Sequence, residues 1–283
     1  MTKLLTTRKQ AWVEKRKPDV VRGDPLNPSA SAELRYYERL ESLINRMADE
    51  VERDLRKLFD AEHAQEFFAM DENTASQARI VTNALMKKFN SMFATNAKAI
   101  AEQVANEANK SSSAALHSSI QKLSGGLSLG TRVLDADMQA VLSATVTENV
   151  GLIKSIAQQY LTGVQGAVMR SITTGNGLQD LVPYLQKHKG ITHRRARMIA
   201  GDQTRKAFNC MNRDRMQKLG LGKFEWLHTG GTNEPRPLHV AMSGKIYSFD
   251  NLPVIDERTG ERGIPGQAIN CRCRMVTVLE FDD

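Results

Sequence analysis

Only three of the 283 residues are cysteine, Cys210, Cys271 and Cys273, and an odd count provides no paired disulfide framework of the kind small secreted domains depend on. No apolar run reaches the roughly 20 residues that a membrane-spanning helix needs. The opening MTKLLTTRKQAWVEKRKP also lacks the unbroken apolar stretch of a secretory signal. The expectation is a reducing compartment: the cytoplasm, or a particle assembled there. Two catalytic signatures are missing as well. There is no G-x-x-x-x-G-K-[ST] loop and no H-E-x-x-H, which sets aside P-loop ATPases and zincin proteases. The glycine pair at 230 and 231 reads as turn chemistry and not as a phosphate cradle.

What is present is charge and helical period. The net charge is +7 with a pI near 9.3, an excess that favours an acidic or polyanionic partner. It is concentrated. Between His188 and Lys223 there are ten Lys or Arg against two acids, Asp202 and Asp214.

Residues 1–30 mix basic and polar residues and end in KPDVVRGDPLNPSAS, whose prolines and glycine predict an extended arm without helix or strand interior. From 31 to 130 the pattern is helical. Leu34, Tyr37, Leu40, Leu43, Ile44, Met47, Val51, Leu55 and Leu58 recur at the spacing of one long amphipathic helix, and Ile80, Leu85, Phe89, Met92, Phe93, Ile100 and Val104 at that of a second. A Ser- and Gly-rich stretch around Gly125 and Gly126 predicts a flexible hinge and the domain boundary.

Residues 131–283 form the second predicted region. Met138, Leu142, Val146, Ile153, Ile156 and Tyr160 mark a third long helix ending near TTGNG. A short helical turn, LQDLVPYLQKH, follows, and then a helix capped by Thr192 and stopped by Gly220. From 223 the period drops to two: in KFEWLH, Phe224, Trp226 and His228 share a face, and KIYSF and CRCRMVTVLEF alternate likewise. The predicted fold is mainly α, with long amphipathic helices to 222 followed by a small C-terminal α+β module, 223–283, holding a short-stranded antiparallel sheet.

Cys271 and Cys273 flank a single arginine on the last predicted strand and so face the same side. Positions i and i+2 of a strand lie roughly 6.5 to 7 Å apart, which would strain a disulfide between them. Two readings stay open. The pair joins His228 and His239 as the four N and S donors of a structural zinc site, or the thiols are small buried hydrophobes and His239 bonds a backbone group.

The succession RARMIAGDQTRKAFN, LGLGKFEW, RPLHVAMSGKIYSF and PGQAINCRCR, in that order and spacing, resembles the minor head proteins of tailed phages in the phage Mu protein F-like family, also called head morphogenesis proteins. The resemblance runs from about Leu134 to about Met275. Family members commonly carry an acid before the Arg that precedes the histidine; here GTNEPRPLH places Asn233 and Glu234 ahead of Arg236. Residues 1–130 carry no family signal. The resemblance implies a virion structural protein, not an enzyme. It would be present in few copies inside the head at the portal vertex and aid head assembly and DNA packaging or ejection, with the portal protein, the capsid interior and packaged double-stranded DNA as partners. No membrane contact is expected before ejection, and the 31–130 helices are expected to meet portal or capsid.

For DNA the candidates are Arg194, Arg195, Arg197, Arg205, Lys206, Arg213 and Arg215, suited to phosphates without sequence preference. The competing reading makes them a solvated helix face with Asp202 and Lys206 as an ordinary i,i+4 pair. A metal-dependent nuclease-like site, or a delivered effector module, is the alternative function. The first lacks a clear general base, and with the sequence closing at EFDD no further domain is expected to carry the second.

Overall fold

Local chemistry sets where the helices begin and stop. The computed structural model describes residues 20–63, 72–123, 130–131, 135–230 and 234–280. The first nineteen residues of the expected arm and the expected hinge at Gly125 and Gly126 lie outside them. Helix α1, Ala30–His63, starts after Pro28 on Ser29, whose hydroxyl accepts from the Ala32 N–H at 3.2 Å. Helix α2 is Glu72–Leu123. Helix α3, Ala136–Thr174, is capped by Asp135, which accepts from the Met138 N–H at 3.0 Å, and is ended by Gly175 at φ 72°. Helix α4 is Leu178–Lys218. Its end is a double closure: Leu221 N–H reaches the Met216 carbonyl at 2.8 Å and Gly220 N–H the Gln217 carbonyl at 3.0 Å, with Gly220 at φ 77°.

Helix α4 corrects the expectation of two separate helices. Thr192 is not a cap; its hydroxyl donates to the His188 carbonyl one turn back, in mid-helix. Pro183 sits inside the helix, just past its first turn, and forfeits the bond to the Gln179 carbonyl. The helix continues because Leu181, Leu185, Ala196 and Ile199 bury one apolar face along both halves.

The chain divides into two compact units, each assembled from separated stretches. The expected boundary near 130 is replaced by an interleaved one, with divisions inside α2 and inside α4. Among the described residues, the helical unit comprises 28–63, 72–111 and 135–208. Its core joins Tyr36, Leu40, Ile44 and Leu55 of α1 to Phe89 and Phe93 of α2, Ile153 and Tyr160 of α3, and Ala196 of α4. Leu34 and Ile80 of the predicted stripes face away from that core, at 53% and 66% exposed. A buried polar chain also crosses it. Tyr36 donates to Asn149 Oδ1 at 2.8 Å, Asn149 Nδ2 donates to Gln203 Oε1 at 3.2 Å, and Gln203 Nε2 donates to Glu148 at 3.1 Å. Burial holds the Tyr36 phenol protonated far above its usual range.

Among the described residues, the sheet unit comprises 20–27, 112–123, 130–131, 209–230 and 234–280. Its strands are β1 (Val20–Pro25), β2 (Lys223–Leu227), β3 (Ile246–Ser248), β4 (Val254–Asp256), β5 (Glu261–Arg262) and β6 (Arg274–Glu280), with a short helix α5 at Pro237–Ala241. Four strands pair antiparallel in the order β1-β6-β2-β3, and β4 and β5 form a separate pair. Phe224 and Trp226 are fully buried, as the alternation predicts. Strand β1 is the surprise, because Pro and Gly argued against a strand there. It is tolerated as an edge strand whose pairing to β6 becomes irregular between Arg22 and Pro25.

Candidate functional site

Strand β2 ends at Leu227, opposite Arg274, and the backbone N–H of His228 then turns to the Ser243 hydroxyl at 3.0 Å. With no ladder partner left, residues 271–273 are irregular. The two cysteines therefore precede β6 and do not lie on it, contrary to the predicted strand. A turn at Asn270 (φ 56°), closed by Cys271 N–H to the Ala268 carbonyl at 3.0 Å, still directs both thiols inward. Both are buried and free, which removes the disulfide reading.

His239 on α5 faces them. Its Nδ1 lies 3.5 Å from Cys271 Sγ and 3.9 Å from Cys273 Sγ, and its Nε2–H donates to the Ile255 carbonyl at 3.0 Å. These three donors lie within 4.8 Å of one another. His228 is half-buried, and its Nδ1 is 3.5 Å from Cys273 Sγ. Three of the four candidate donors thus form one cluster, and His228 adjoins it at Cys273. The indole of Trp226 packs edge-on against His239 with ring centroids 5.1 Å apart. Its N–H has no hydrogen-bond partner of normal geometry, yet it is near enough to Cys273 to favour the thiolate there.

The cluster shares protons unevenly. The hydrogen bond from Cys273, with help from His239, draws the Cys271 thiol down strongly against the opposing effect of burial. Cys273 is pushed up by the same contact and then by burial. His239 is raised, chiefly by its bond to Cys271, against burial. The cluster lines a cavity of about 220 Å³ whose wall also includes Glu234, Arg236 and Arg272.

Sequence reasoning anticipated a backbone partner for His239 but did not identify it as the Ile255 carbonyl, since no side-chain pattern singles out one main-chain acceptor. It also missed Arg236, which donates to the Ile269 carbonyl at 2.9 Å and steadies the turn before the cysteines.

The basic helix is used differently from one residue to the next. Arg205 is paired with Glu33 at 3.2 Å and Asp202 at 3.0 Å, and Lys206 with Glu148 at 2.8 Å, so Asp202 pairs with Arg205 and not with Lys206. Arg215 is buried and donates to the Ser112 hydroxyl at 2.6 Å; burial lowers its pKa. Arg195 donates to the Ser155 hydroxyl at 2.9 Å. Arg213 is half-buried, whereas Arg194 and Arg197 are exposed, the latter 4.3 Å above the Tyr37 ring.

Residues 162–276 match the family model described as Phage Mu protein F like protein. Over that stretch the chain is similar to the Mu F-like family. That stretch begins inside α3 and closes in β6, and it includes α4 and all four donors. An uncharacterized protein of Haemophilus influenzae is 29% identical over 263 residues, covering 92% of this chain and 56% of its own length. The chain therefore spans about half the length of that curated relative. No solved structure matches the chain. The match to the Mu F-like family suggests a phage head morphogenesis protein.

Proposed function

We propose that the chain is a structural protein of a tailed-phage head, held in few copies inside the capsid at the portal vertex, where it aids head assembly and DNA packaging or ejection by binding and not by catalysis. The family match over 162–276 carries this reading. Its partners are then the portal protein, the capsid interior and packaged double-stranded DNA.

The exposed side of α4 supports both kinds of contact. Lys187, Ile191, Arg194 and Met198 fall on one line at i, i+4, i+7 and i+11, and Ile191 and Met198 are 42% and 44% exposed. Cations alternating with apolar side chains suit a protein surface, while Arg194 and Arg197 reach outward for phosphate. The cations that hold Glu33, Glu148 and Ser112 are committed within the protein.

DNA contact is tested by nonspecific binding of the R194Q/R197Q variant across a salt series. Each phosphate contact contributes about 0.9 to the slope of log affinity against log salt, so the double variant should lose roughly 2. R205Q/K206Q should leave the slope nearly unchanged and lower stability instead. An unaltered slope in the first variant would remove the DNA contact from the proposal. Retention of the chain by purified heads tests the remainder.

A further inference from the structure

In a tetrahedral site with zinc–sulfur bonds of about 2.3 Å and zinc–nitrogen bonds of about 2.05 Å, neighbouring sulfur and nitrogen donors stand about 3.6 Å apart. The spacings here are 3.5 Å from Cys271 to His239, 3.9 Å from Cys273 to His239 and 3.5 Å from Cys273 to His228. Each fits an edge of a zinc coordination tetrahedron, and Cys271, Cys273 and His239 hold their donor atoms within 4.8 Å of one another. Thiols and an imidazole that only filled space would have no reason to gather three donor atoms this closely, with His228 joining the group through Cys273.

We propose that Cys271, Cys273, His239 and His228 bind one zinc ion, each through Sγ or Nδ1, and that this ion ties the end of β2, helix α5 and the turn before β6 into one unit. The donors come from three separated stretches of chain. The inference stands on their geometry and is independent of the head-protein reading.

Three further observations support the assignment. The His239 Nε2–H bond to the Ile255 carbonyl fixes the ring with Nδ1 toward the thiols, the outer contact that metal-bound histidines ordinarily carry. Two sulfur and two nitrogen donors in a tetrahedron select zinc over magnesium, calcium or manganese, which take oxygen. Four protein donors also close the coordination shell, so the ion is structural and leaves no open position for activating water. Glu234 lines the same cavity, but with His228 bound it has no metal-held water to act on. Of the four, His228 is the outermost, is only half-buried, and contacts Cys273 alone among the other three donors. It is the donor whose removal tests closure.

The experiment uses the full chain, purified without a polyhistidine tag from zinc-supplemented medium. Elemental analysis should give one zinc per chain. Treatment with EDTA should lower Tm by about 10 °C, restored by zinc alone. Cobalt in place of zinc should give the intense visible bands of a tetrahedral site together with thiolate charge transfer. The C271S and C273S variants should lose the metal; the cobalt spectrum of the unaltered chain keeps the test decisive should either fail to fold. H228A should bind zinc at least about 10-fold more weakly in competition with a chromophoric chelator. Zinc well below one equivalent with Tm indifferent to chelation would overturn the site. Undiminished affinity in H228A, or cleavage of plasmid DNA by the zinc-loaded chain, would overturn the closed four-donor assignment.

Discussion

Replacing Trp226 by Ala should cost about 3–5 kcal/mol in urea unfolding, the range for deleting a large aromatic from a packed interior. Trp226 is fully buried in β2, packs edge-on against His239 and contacts Tyr247 with ring centroids 6.4 Å apart. Its loss would open a void beside the ring that faces both cysteines. The sheet should lose its fixed packing, and His239 its position. W226F is the informative companion. It keeps most of the apolar volume and removes an indole N–H that has no conventional acceptor, so its cost should fall well below that of W226A. A loss under about 1 kcal/mol in W226A would mean that the residue is not the keystone of the sheet unit.

The second large effect is expected at Gly23. A methyl group there would meet the Thr277 and Ser119 hydroxyl oxygens and, at 2.8 Å, the Ser119 carbonyl oxygen. Those groups have little freedom to yield. Ser119 is buried and bridges Thr277 Oγ1 at 2.6 Å and the Asp24 carbonyl at 2.7 Å, and Thr277 is itself fully buried in β6. G23A should therefore push β1 off its neighbour at a cost of about 1–3 kcal/mol. Hydrogen exchange should report it as lost protection in 20–25 and along β6, with the core of the helical unit unchanged. Retained protection in 20–25 would show that the strand accommodates the methyl group and that the close approach is not what holds it.

Much of the architecture is legible from local pattern. Gly175 and Gly220 stop helices because the backbone there turns left-handed, and Phe224 and Trp226 alternate into the interior as half-buried strands require. What local pattern misses is pairing across long separations. Val20–Pro25 becomes a strand because β6, some 250 residues later, offers an edge. The two units interleave because α2 and α4 each contribute to both.

The candidate site divides in the same way. Residue type and spacing pick out His228, His239, Cys271 and Cys273, and the structure brings them into contact. The basic segment is less transparent. Helical period places Arg205, Lys206 and Arg215 on α4, but Glu33, Glu148 and Ser112, which take up their charge or hydrogen bonds, lie from 58 to 172 residues away. No window along α4 contains those partners.

The most direct test of the account is the number of copies of this chain per portal in purified, DNA-filled heads, measured by quantitative peptide mass spectrometry. The account predicts a few copies, retained through washing that removes loosely bound host protein. Complete absence from such heads, with the chain abundant in the lysate they came from, would contradict it.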